Sequence, residues 1–418
     1  MEYTNMTMTD SHKYLWAILL LALFLRLGYV FYASPEIHWE DEYDYLALSQ
    51  NIASGAGFVD KYGAPTAFRP VGYPLLLAGF HLLGLGSVPV IRLIQVFLSV
   101  VTVWLTFLLA AHFINRKIAL WAAFFAAIYP YFIFLPTTLM SETWFSLLLL
   151  AGSYFYLKSE FHRHRVYAGV SGVLMGLAVL TRPSALVLIF AILLWTGLRH
   201  HFNLRSILPG TALFAGMVAI IIVPWMMRNQ VHVGAFQLSS NAGRNLWLGN
   251  NPKSTINTGS NIEMSENFHE LIESRPEFEA DKIYKERALA FMKNNPQHVL
   301  WLSVKKGLSL WRFGPSPTTE GYVDQNSWHW WISFLSYGPI FLLAIAGFLT
   351  ASNKVQSIML LWIFYALAFT AVHAVFISKV RFRLPLDYFL MIMAALALQK
   401  IFEVIKQMKS PKLMTAYK

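Results

Sequence analysis

The sequence predicts an all-α protein that crosses a membrane about ten times. Of its 418 residues, 56% are hydrophobic and 13% are charged, whereas an ordinary soluble domain carries about 25% charged residues. The chain also contains ten apolar stretches with lengths near the ~17 to 25 residues that a helix needs to cross the hydrocarbon core. These stretches are residues 14–33, 88–113, 118–135, 139–157, 166–181, 184–198, 207–227, 329–351, 356–378 and 384–402.

The fifth and sixth stretches are shorter than the others. They are separated by Thr181-Arg182-Pro183. The two segments can form two tilted spans or one interrupted hairpin. The sequence leaves open which of these two arrangements is present.

Composition excludes several kinds of site. The chain contains no cysteine, which excludes disulfides, thiolate metal sites and cysteine nucleophiles. Its net charge of +11 is compatible with nucleic-acid binding, so the placement of the basic residues decides between partners.

Many basic residues lie in short loops on the side of both termini. By the positive-inside rule this side is the cytoplasm. We therefore expect their charge to face anionic lipid, and we expect no nucleic-acid partner. These loops contain Arg116-Lys117, the segment from Lys158 to Arg165, the segment from Arg199 to Arg205, and Lys354.

The spans and two polar regions divide the chain into three predicted parts. Residues 1–227 form an N-terminal transmembrane part that contains a first outer loop at 34–87. Residues 228–328 form an outer-face region, and residues 329–418 hold the last spans and a basic cytoplasmic tail. The outer-face region contains the pattern of an amphipathic helix at 276–293 and of an interfacial helix at 299–312.

Ionisable side chains gather at the predicted outer ends of the spans. Each such group costs about 2.5 to 3.5 kcal/mol to insert at membrane depth, so each is a candidate for function. Basic residues at short outer turns also oppose the positive-inside tendency, which indicates a bound anion, and phosphate is the best match. Arg26 and Arg92 lie nearer the span interiors and are expected to bond to carbonyls or to an acid. The outer group contains Asp41, Glu42, Glu142, Arg182, Lys379, Arg381 and Arg383.

Structural explanations remain open for single members of this group. Glu142 favours the N-terminus of a helix, and Arg182 can extend its charged end to the membrane surface. Arg381 can pair with Asp387 on its own helix. A functional role is favoured by the gathering of all these residues at one face.

Motifs along the chain resemble those of a known family. Asp41-Glu42, followed by Tyr45-Leu46-Ala47, resembles an acidic motif of a first outer loop, and Arg69-Pro70-Val71-Gly72-Tyr73-Pro74 resembles the start of the helix that follows it. The chain thereby resembles the GT-C superfamily of polytopic glycosyltransferases, specifically the protein O-mannosyltransferases, lipid A aminoarabinose transferases and bacterial relatives of the glycosyltransferase family 39 type. Further motifs in matching order are Ser141-Glu142, Gly176-Leu177-Ala178 to Arg182, Gly249-Asn250-Asn251-Pro252, and Arg381-Phe382-Arg383-Leu384-Pro385.

The resemblance implies a GT-C fold and an inverting transferase whose donor is a sugar on a polyprenyl phosphate such as undecaprenyl phosphate. Transfer to a lipid, glycan or protein hydroxyl, for example in lipopolysaccharide, is expected at the periplasmic face of a bacterial inner membrane, with both termini in the cytoplasm. Asp41 is implied as the general base, and Glu42 as a second carboxylate that orients it or contacts the sugar. Glu142 and Tyr45 are expected to orient acceptor or sugar. The residues expected to bind the donor phosphate are Arg69, Arg182, Arg244, Arg381 and Arg383.

A metal ion is not assigned from the sequence. Aminoarabinose transferases have an acid directly before the phosphate-binding basic residue, whereas this chain has Phe68 before Arg69. No His-Glu-x-x-His motif occurs, and His38 is expected to be an exposed or hydrogen-bonded loop residue. If a divalent cation such as Mg²⁺ or Mn²⁺ takes part, Glu42 and Glu142 are its expected ligands.

One base and several cations suffice for this chemistry. A phosphate monoester, whose second pKa is about 6, leaves without the general acid that a glycosidase supplies. Two alternatives remain. A flippase or transporter for lipid-linked sugars would carry its charges near the midplane and show inverted repeats, and neither is evident. A membrane hydrolase or ligase of lipid-linked glycans would use similar groups.

Overall fold

The computed structural model describes residues 8–33, 36–162, 164–258, 268, 271–272, 275–315 and 328–408. In these ranges the regular structure is helical, apart from an isolated antiparallel bridge between Val59 and Pro65. The helices are α1 (Met8–Tyr32), α2 (Glu40–Ala53), α3 (Gly72–Leu82), α4 (Val88–Phe113), α5 (Arg116–Ile128), α6 (Pro130–Phe134), α7 (Glu142–His162), α8 (Arg165–Thr181), α9 (Leu186–Arg199), α10 (Leu204–His232), α11 (Ala242–Gly249), α12 (Glu277–Asn294), α13 (Pro296–Leu310), α14 (Trp328–Thr350), α15 (Asn353–Val375) and α16 (Val380–Met408).

All ten predicted apolar stretches lie on helices. Among the described helices, α1, α4, α10, α14, α15 and α16 are each long and apolar enough to cross a membrane. Helix α5 and the segment Pro130–Thr137 form a further candidate span that is bent by 60°. The fifth and sixth stretches form two shorter apolar helices. The chain is therefore an all-α, multi-span membrane protein, as the sequence predicts.

A buried arginine supports the break between α5 and α6. Pro130 has no N–H group, so the carbonyl of Ala126, four residues earlier, lacks its usual helical partner. Arg26 of α1 is fully buried and donates hydrogen bonds to the carbonyls of Ala126 (3.0 Å) and Ala127 (2.9 Å), and to the hydroxyl of Ser99 (2.8 Å). The structural role expected of Arg26 is confirmed, and the chain can bend at membrane depth without an unsatisfied carbonyl.

The start of α3 lies directly against the end of α8. A Cβ atom at Gly72 would be only 2.6 Å from the backbone nitrogen of Thr181, so a larger residue cannot make this approach. Arg69 precedes α3 and Arg182 follows α8. This contact therefore brings the two arginines to the same end of the helical bundle.

Helix α12 anchors the loop before α3 and the start of α11, and it confirms the helix predicted at 276–293. Glu277 and Asp281 lie one turn apart near its N-terminus. The carboxylate of Glu277 accepts a hydrogen bond from the backbone N–H of Ala67 at 3.0 Å, and that of Asp281 accepts one from the N–H of Arg244 at 2.9 Å. The segment just before Arg69 and the segment that carries Arg244 are thus fastened to one helix.

Candidate active site

Asp41 lies between two arginines that come from distant parts of the chain. It occupies the first turn of α2. Its Oδ1 atom lies 2.7 Å from Nη2 of Arg69, and its Oδ2 atom accepts a hydrogen bond from Nη2 of Arg381 at 3.0 Å. Charge-assisted contacts of this length are among the stronger polar interactions in proteins. The structure thus joins the carboxylate predicted as a base to two of the arginines predicted to bind phosphate.

Glu142 forms a second centre of ion pairing at the start of α7. Its side chain is 1% exposed. Its Oε1 atom lies 2.7 Å from Nη2 of Arg182 and 3.8 Å from Nε of Arg381. Arg182 also donates from Nε to the hydroxyl of Ser141 at 3.0 Å. Arg381 therefore bridges Glu142 and Asp41.

Asp44 completes this arrangement, although the sequence does not single it out. It lies one turn after Asp41 on α2, and its Oδ2 atom accepts hydrogen bonds from Nη2 (2.7 Å) and Nε (3.0 Å) of Arg69. The two acids lie on the same face of the helix because residues three apart are neighbours. We call the whole set the acid–arginine cluster, and its formal charges balance. It consists of Asp41, Asp44, Glu142, Arg69, Arg182 and Arg381.

The cluster keeps Asp41 ionised. Burial on its own would raise the pKa of the Asp41 carboxyl, but the charges of Arg69 and Arg381 outweigh burial and hold that pKa below 3.8. Burial would lower the pKa of Arg69, but the charges of Asp41 and Asp44 keep it above its usual value. At neutral pH the site therefore holds a carboxylate and guanidinium groups, all charged.

Tyr45 and Glu42 lie beneath the cluster. Tyr45 is 8% exposed, and its ring packs edge to face against Tyr73 with centroids 5.1 Å apart. Glu42 is 1% exposed, burial raises the pKa of its carboxyl, and it accepts hydrogen bonds from the backbone N–H groups of His38 and Leu139. The guanidinium carbon of Arg69 lies 5.8 Å from the centroid of the Tyr45 ring, whereas Glu42 forms no ion pair with an arginine of the cluster in the described residues. The structure thus places both side chains where they support α2.

Arg244 lies beside the cluster, next to the aromatic ring of Phe68. The guanidinium carbons of Arg244 and Arg69 lie 5.6 and 5.1 Å from the centroid of that ring, within the range of a cation–π contact. The side chain of Arg244 also hydrogen-bonds to Tyr284. Within the part of the chain that the structure describes, no carboxylate pairs with Arg244.

Arg383 is not part of the cluster. It is fully buried, and its Nε atom lies 3.4 Å from Asp387, which pairs with this arginine and not with Arg381. Its Nη1 atom donates to the carbonyls of Leu310 (3.1 Å) and Arg312 (2.7 Å). Arg383 therefore ties the start of α16 to the end of α13.

A buried lysine fastens the turn between α15 and α16. Lys306 is 1% exposed and donates from Nζ to the carbonyls of Gly249 (3.1 Å), Val375 (3.1 Å) and Phe376 (2.7 Å). The side chain of Asn250 also donates to Val375 (2.7 Å). These carbonyls belong to helix C-termini, where positive charge is favourable. Burial lowers the pKa of Lys306 to about 8. The Gly249-Asn250 motif thus contacts Lys306, and the sequence did not predict this contact.

The contact at Gly249 gives a testable prediction. A Cβ atom there would lie 2.2 Å from the carbonyl oxygen of Phe376, so Gly249→Ala must displace the turn. We expect the substitution to destabilise the fold by about 1 to 3 kcal/mol, measured as a lower Tm in detergent. Gly216→Ala is the matched control, because nothing lies within 4 Å of its added methyl group. Equal Tm values for the two variants would contradict this view of the turn.

The site does not suit a divalent cation. Among the described residues, no three His, Asp or Glu side chains converge as metal ligands. Of the two expected ligands, Glu42 faces backbone N–H groups and Glu142 faces two guanidinium groups. N–H donors and positive charges both repel a cation from these carboxylates.

Comparisons with known proteins agree with this architecture. Residues 68–227 match the family model described as dolichyl-phosphate-mannose-protein mannosyltransferase. The apo oligosaccharyltransferase of Archaeoglobus fulgidus is similar with a TM-score of 0.60 and 14% identity, over 99% of this chain and 53% of that one. The match to the family model covers a part of the chain that includes Arg69-Pro70 and Arg182, and the fold of the whole chain is similar to that of this oligosaccharyltransferase.

Two further solved structures are similar. The Archaeoglobus fulgidus enzyme AglB, in complex with an inhibitory peptide and a dolichol-phosphate, has a TM-score of 0.54 at 14% identity, over 96% of this chain and 52% of that one. ArnT from Cupriavidus metallidurans, bound to undecaprenyl phosphate, has a TM-score of 0.44 at 14% identity, over 88% and 78%. The present chain spans about half the length of the oligosaccharyltransferase chains that it matches. A search of curated proteins found no match.

Proposed function

We propose that this protein is an inverting glycosyltransferase of the GT-C type that moves a sugar from a polyprenyl-phosphate donor to a hydroxyl of a lipid, glycan or protein. The observation that carries the proposal is the position of Asp41, ionised and in contact with both Arg69 and Arg381. A positioned carboxylate and fixed cations are the groups that this reaction needs. The distribution of basic loops favours the periplasmic face of a bacterial inner membrane.

The proposed step uses Asp41 as a general base. The acceptor oxygen attacks C1 of the sugar from the face opposite the phosphate, and Asp41 takes the hydroxyl proton. The bond between C1 and the phosphate oxygen breaks, and the phosphate leaves with both electrons. Guanidinium groups stabilise the charge that grows on the phosphate. Attack from the opposite face inverts the configuration at C1.

Donor binding is expected to make Asp41 a stronger base. In the ligand-free protein the charge of Arg69 lowers the pKa of Asp41, and a carboxyl with a low pKa is a poor base. A bound phosphate competes for the same guanidinium group and so weakens its hold on Asp41. The pKa of Asp41 then rises, because burial remains as the opposing effect. Phosphate binding and base activation are coupled through Arg69.

The remaining predicted site residues receive different proposed roles. Arg69 and Arg244, which share the ring of Phe68, hold the donor phosphate. Glu142 and Arg182 aim the guanidinium group of Arg381 at Asp41. The other members act by position: Tyr45 and Glu42 support α2, and Arg383 supports α16.

The experiment that tests the function is transfer of radiolabel. Purified protein in detergent receives a radiolabelled polyprenyl-phosphate sugar and a membrane-glycan acceptor, and the wild type should place label on the acceptor. The same preparation in liposomes separates the alternatives. Movement of label across the bilayer without a new product indicates a flippase, and release of free sugar indicates a hydrolase. Either result would replace the transferase proposal.

The absence of cysteine allows a direct test of the proposed orientation. A single cysteine at Lys61, in the first outer loop, should react with a membrane-impermeant thiol reagent in intact cells. A cysteine at Lys354, in the first turn of α15, should react only after the membrane is opened. Both positions are exposed. The opposite pattern would place the acid–arginine cluster on the cytoplasmic side and would contradict the periplasmic site.

The pH dependence of transfer should report the contact between Arg69 and Asp41. The carboxyl must be deprotonated to act as a base, so activity falls as pH drops through its pKa. In the wild type this pKa lies below 3.8, and kcat/KM should change little on this account between about pH 5 and 7. Arg69→Gln removes one of the charges that oppose burial, so the pKa of Asp41 should rise.

The acid side of the kcat/KM profile should therefore move to higher pH in Arg69→Gln. Lys61→Gln is the matched control, since it removes a positive charge from the same loop at an exposed position. An acid limb that stays in place in Arg69→Gln would show that this arginine does not set the pKa of the catalytic base.

A further inference from the structure

Two basic residues that lie outside the acid–arginine cluster share one loop residue as a partner. Lys379 donates from Nζ to the backbone carbonyl of Asn257 at 3.0 Å. Arg312 lies with both terminal nitrogens 3.4 Å from the side-chain oxygen of the same residue. The ammonium and guanidinium groups therefore flank Asn257, which is itself exposed.

The backbone under these two bases is fixed. Ser309 donates its hydroxyl hydrogen to the hydroxyl of Ser378 at 3.2 Å, which ties the end of α13 to the residue before Lys379. The buried Arg383 donates to the carbonyl of Arg312 at 2.7 Å. Arg312 also donates from Nε to the carbonyl of Ser309. A pair of bases held in this way is pre-organised, which lowers the cost of binding a ligand.

The local charge favours an anion. In the described residues no carboxylate lies within ion-pair distance of Arg312. Burial lowers the pKa of Lys379, and the nearby charges of Arg381 and Arg312 lower it further. Burial and the charge of Arg383 likewise lower the pKa of Arg312. Positive groups that repel one another are stabilised by an anion placed between them.

The pair lies near Arg381. The Oδ1 atom of Asp41 faces Arg69, whose neighbour across Phe68 is Arg244, and its Oδ2 atom faces Arg381. Lys379 comes two residues before Arg381 in the chain, and the charges of Arg381 and Arg312 both act on it.

We propose that Arg312 and Lys379 form a second anion site, near Arg381, for a phosphate group. The assignment deepens the proposed function and rests on it for its role in transfer. The phosphate comes from the lipid of the donor, from an acceptor that is itself a phosphorylated lipid, or from free phosphate. A guanidinium and an ammonium together suit a phosphate, because one gives paired donors and the other a compact charge.

Binding measurements on the full chain test the site. The wild type and the double variant Arg312→Gln/Lys379→Gln are placed in nanodiscs of phosphatidylcholine, and the Kd values for undecaprenyl phosphate, phosphatidic acid and inorganic phosphate are measured. The double variant should bind the relevant probe at least about tenfold more weakly, as expected when charged hydrogen-bond partners are lost. Unchanged Kd values for all three probes would overturn the proposal.

The probe that is affected identifies the source of the phosphate. An effect on undecaprenyl phosphate alone indicates the donor, and an effect on phosphatidic acid as well indicates that a phosphorylated lipid acceptor also fits. An effect on inorganic phosphate alone indicates free phosphate. Each of these results supports the site.

Two kinds of variant guard against a structural artefact. Lys293→Gln/Lys305→Gln is the matched control, because it removes two positive charges from exposed positions on α12 and α13, and its Kd values should stay within about twofold of the wild type. Arg312→Lys and Lys379→Arg keep the charges but change the donor geometry, so each should retain part of the affinity that the double variant loses. Failure of both charge-retaining variants to bind better than the double variant would also count against the site.

The site and the function fail in different ways. If the wild type transfers sugar but the double variant binds all probes normally, the transferase stands and the second anion site is wrong. If undecaprenyl phosphate binds through Arg312 and Lys379 but no sugar is transferred, the site stands and the transferase is wrong.

Discussion

Asp41→Asn should lower kcat for sugar transfer by about 10²- to 10⁴-fold, which is the usual contribution of a positioned general base. Asparagine has nearly the shape of aspartate but cannot accept the proton. It also leaves Arg69 and Arg381 without one carboxylate partner, so the donor phosphate should bind equally well or more tightly. The measurement is the steady-state rate at saturating donor, together with the Kd of the donor.

Asp44→Asn is the matched control for this variant. Asp44 pairs with the same arginine from the same helix, but its side chain does not contact Arg381 in the described residues. We expect its kcat to fall far less than that of Asp41→Asn. Equal kcat values for Asp41→Asn and the wild type would remove Asp41 as the base, whatever the effect on binding.

Glu142→Ala should be the most destabilising substitution in the cluster. The carboxylate is buried, and its removal leaves Arg182 and Arg381 facing each other without the acid between them. Loss of one partner from a buried ion pair typically costs about 3 to 5 kcal/mol. The Tm in detergent should fall accordingly. Transfer should fall as well, because Arg381 is no longer aimed at Asp41.

The other end of the same helix provides a control. Glu160 of α7 pairs with His200 at 2.7 Å and is more exposed than Glu142. Glu160→Ala should therefore cost less stability and leave transfer near the wild-type rate, since no residue of the cluster is near it in the described chain. If Glu142→Ala and Glu160→Ala lowered Tm and transfer equally, the ion pairs around Glu142 would have no special role.

The membrane fold could be predicted because the thickness of the bilayer sets the length of the apolar segments, and the positive-inside rule sets the charge of the loops. The ten stretches required no knowledge of tertiary contacts, and each lies on a helix. The break at Pro130 was not visible in the predicted stretch 118–135, because a proline in an apolar segment kinks some helices and ends others. The outcome depends on whether a distant donor such as Arg26 satisfies the carbonyls that proline leaves free.

The cluster was predicted only in part. Asp41, Arg69, Arg182, Glu142 and Arg381 stand out because charged groups are costly near a membrane. Asp44 was missed, although its spacing from Asp41 is a signal of a shared helical face. Residues two apart on a helix point in different directions, so Arg381 and Arg383 are not expected to face the same partner. The sequence alone does not show which of them faces Asp41. Only the fold shows which of them meets Asp41.

The two carboxylates at the start of α12 have a consequence for mutagenesis. Glu277 holds the loop segment that leads to Arg69, and Asp281 holds the backbone of Arg244. A tilt or shift of helix α12 would move both basic side chains with it. Scanning substitutions along it should accordingly produce correlated defects, and kinetic data from such a scan cannot by themselves separate the contribution of one arginine from that of the other.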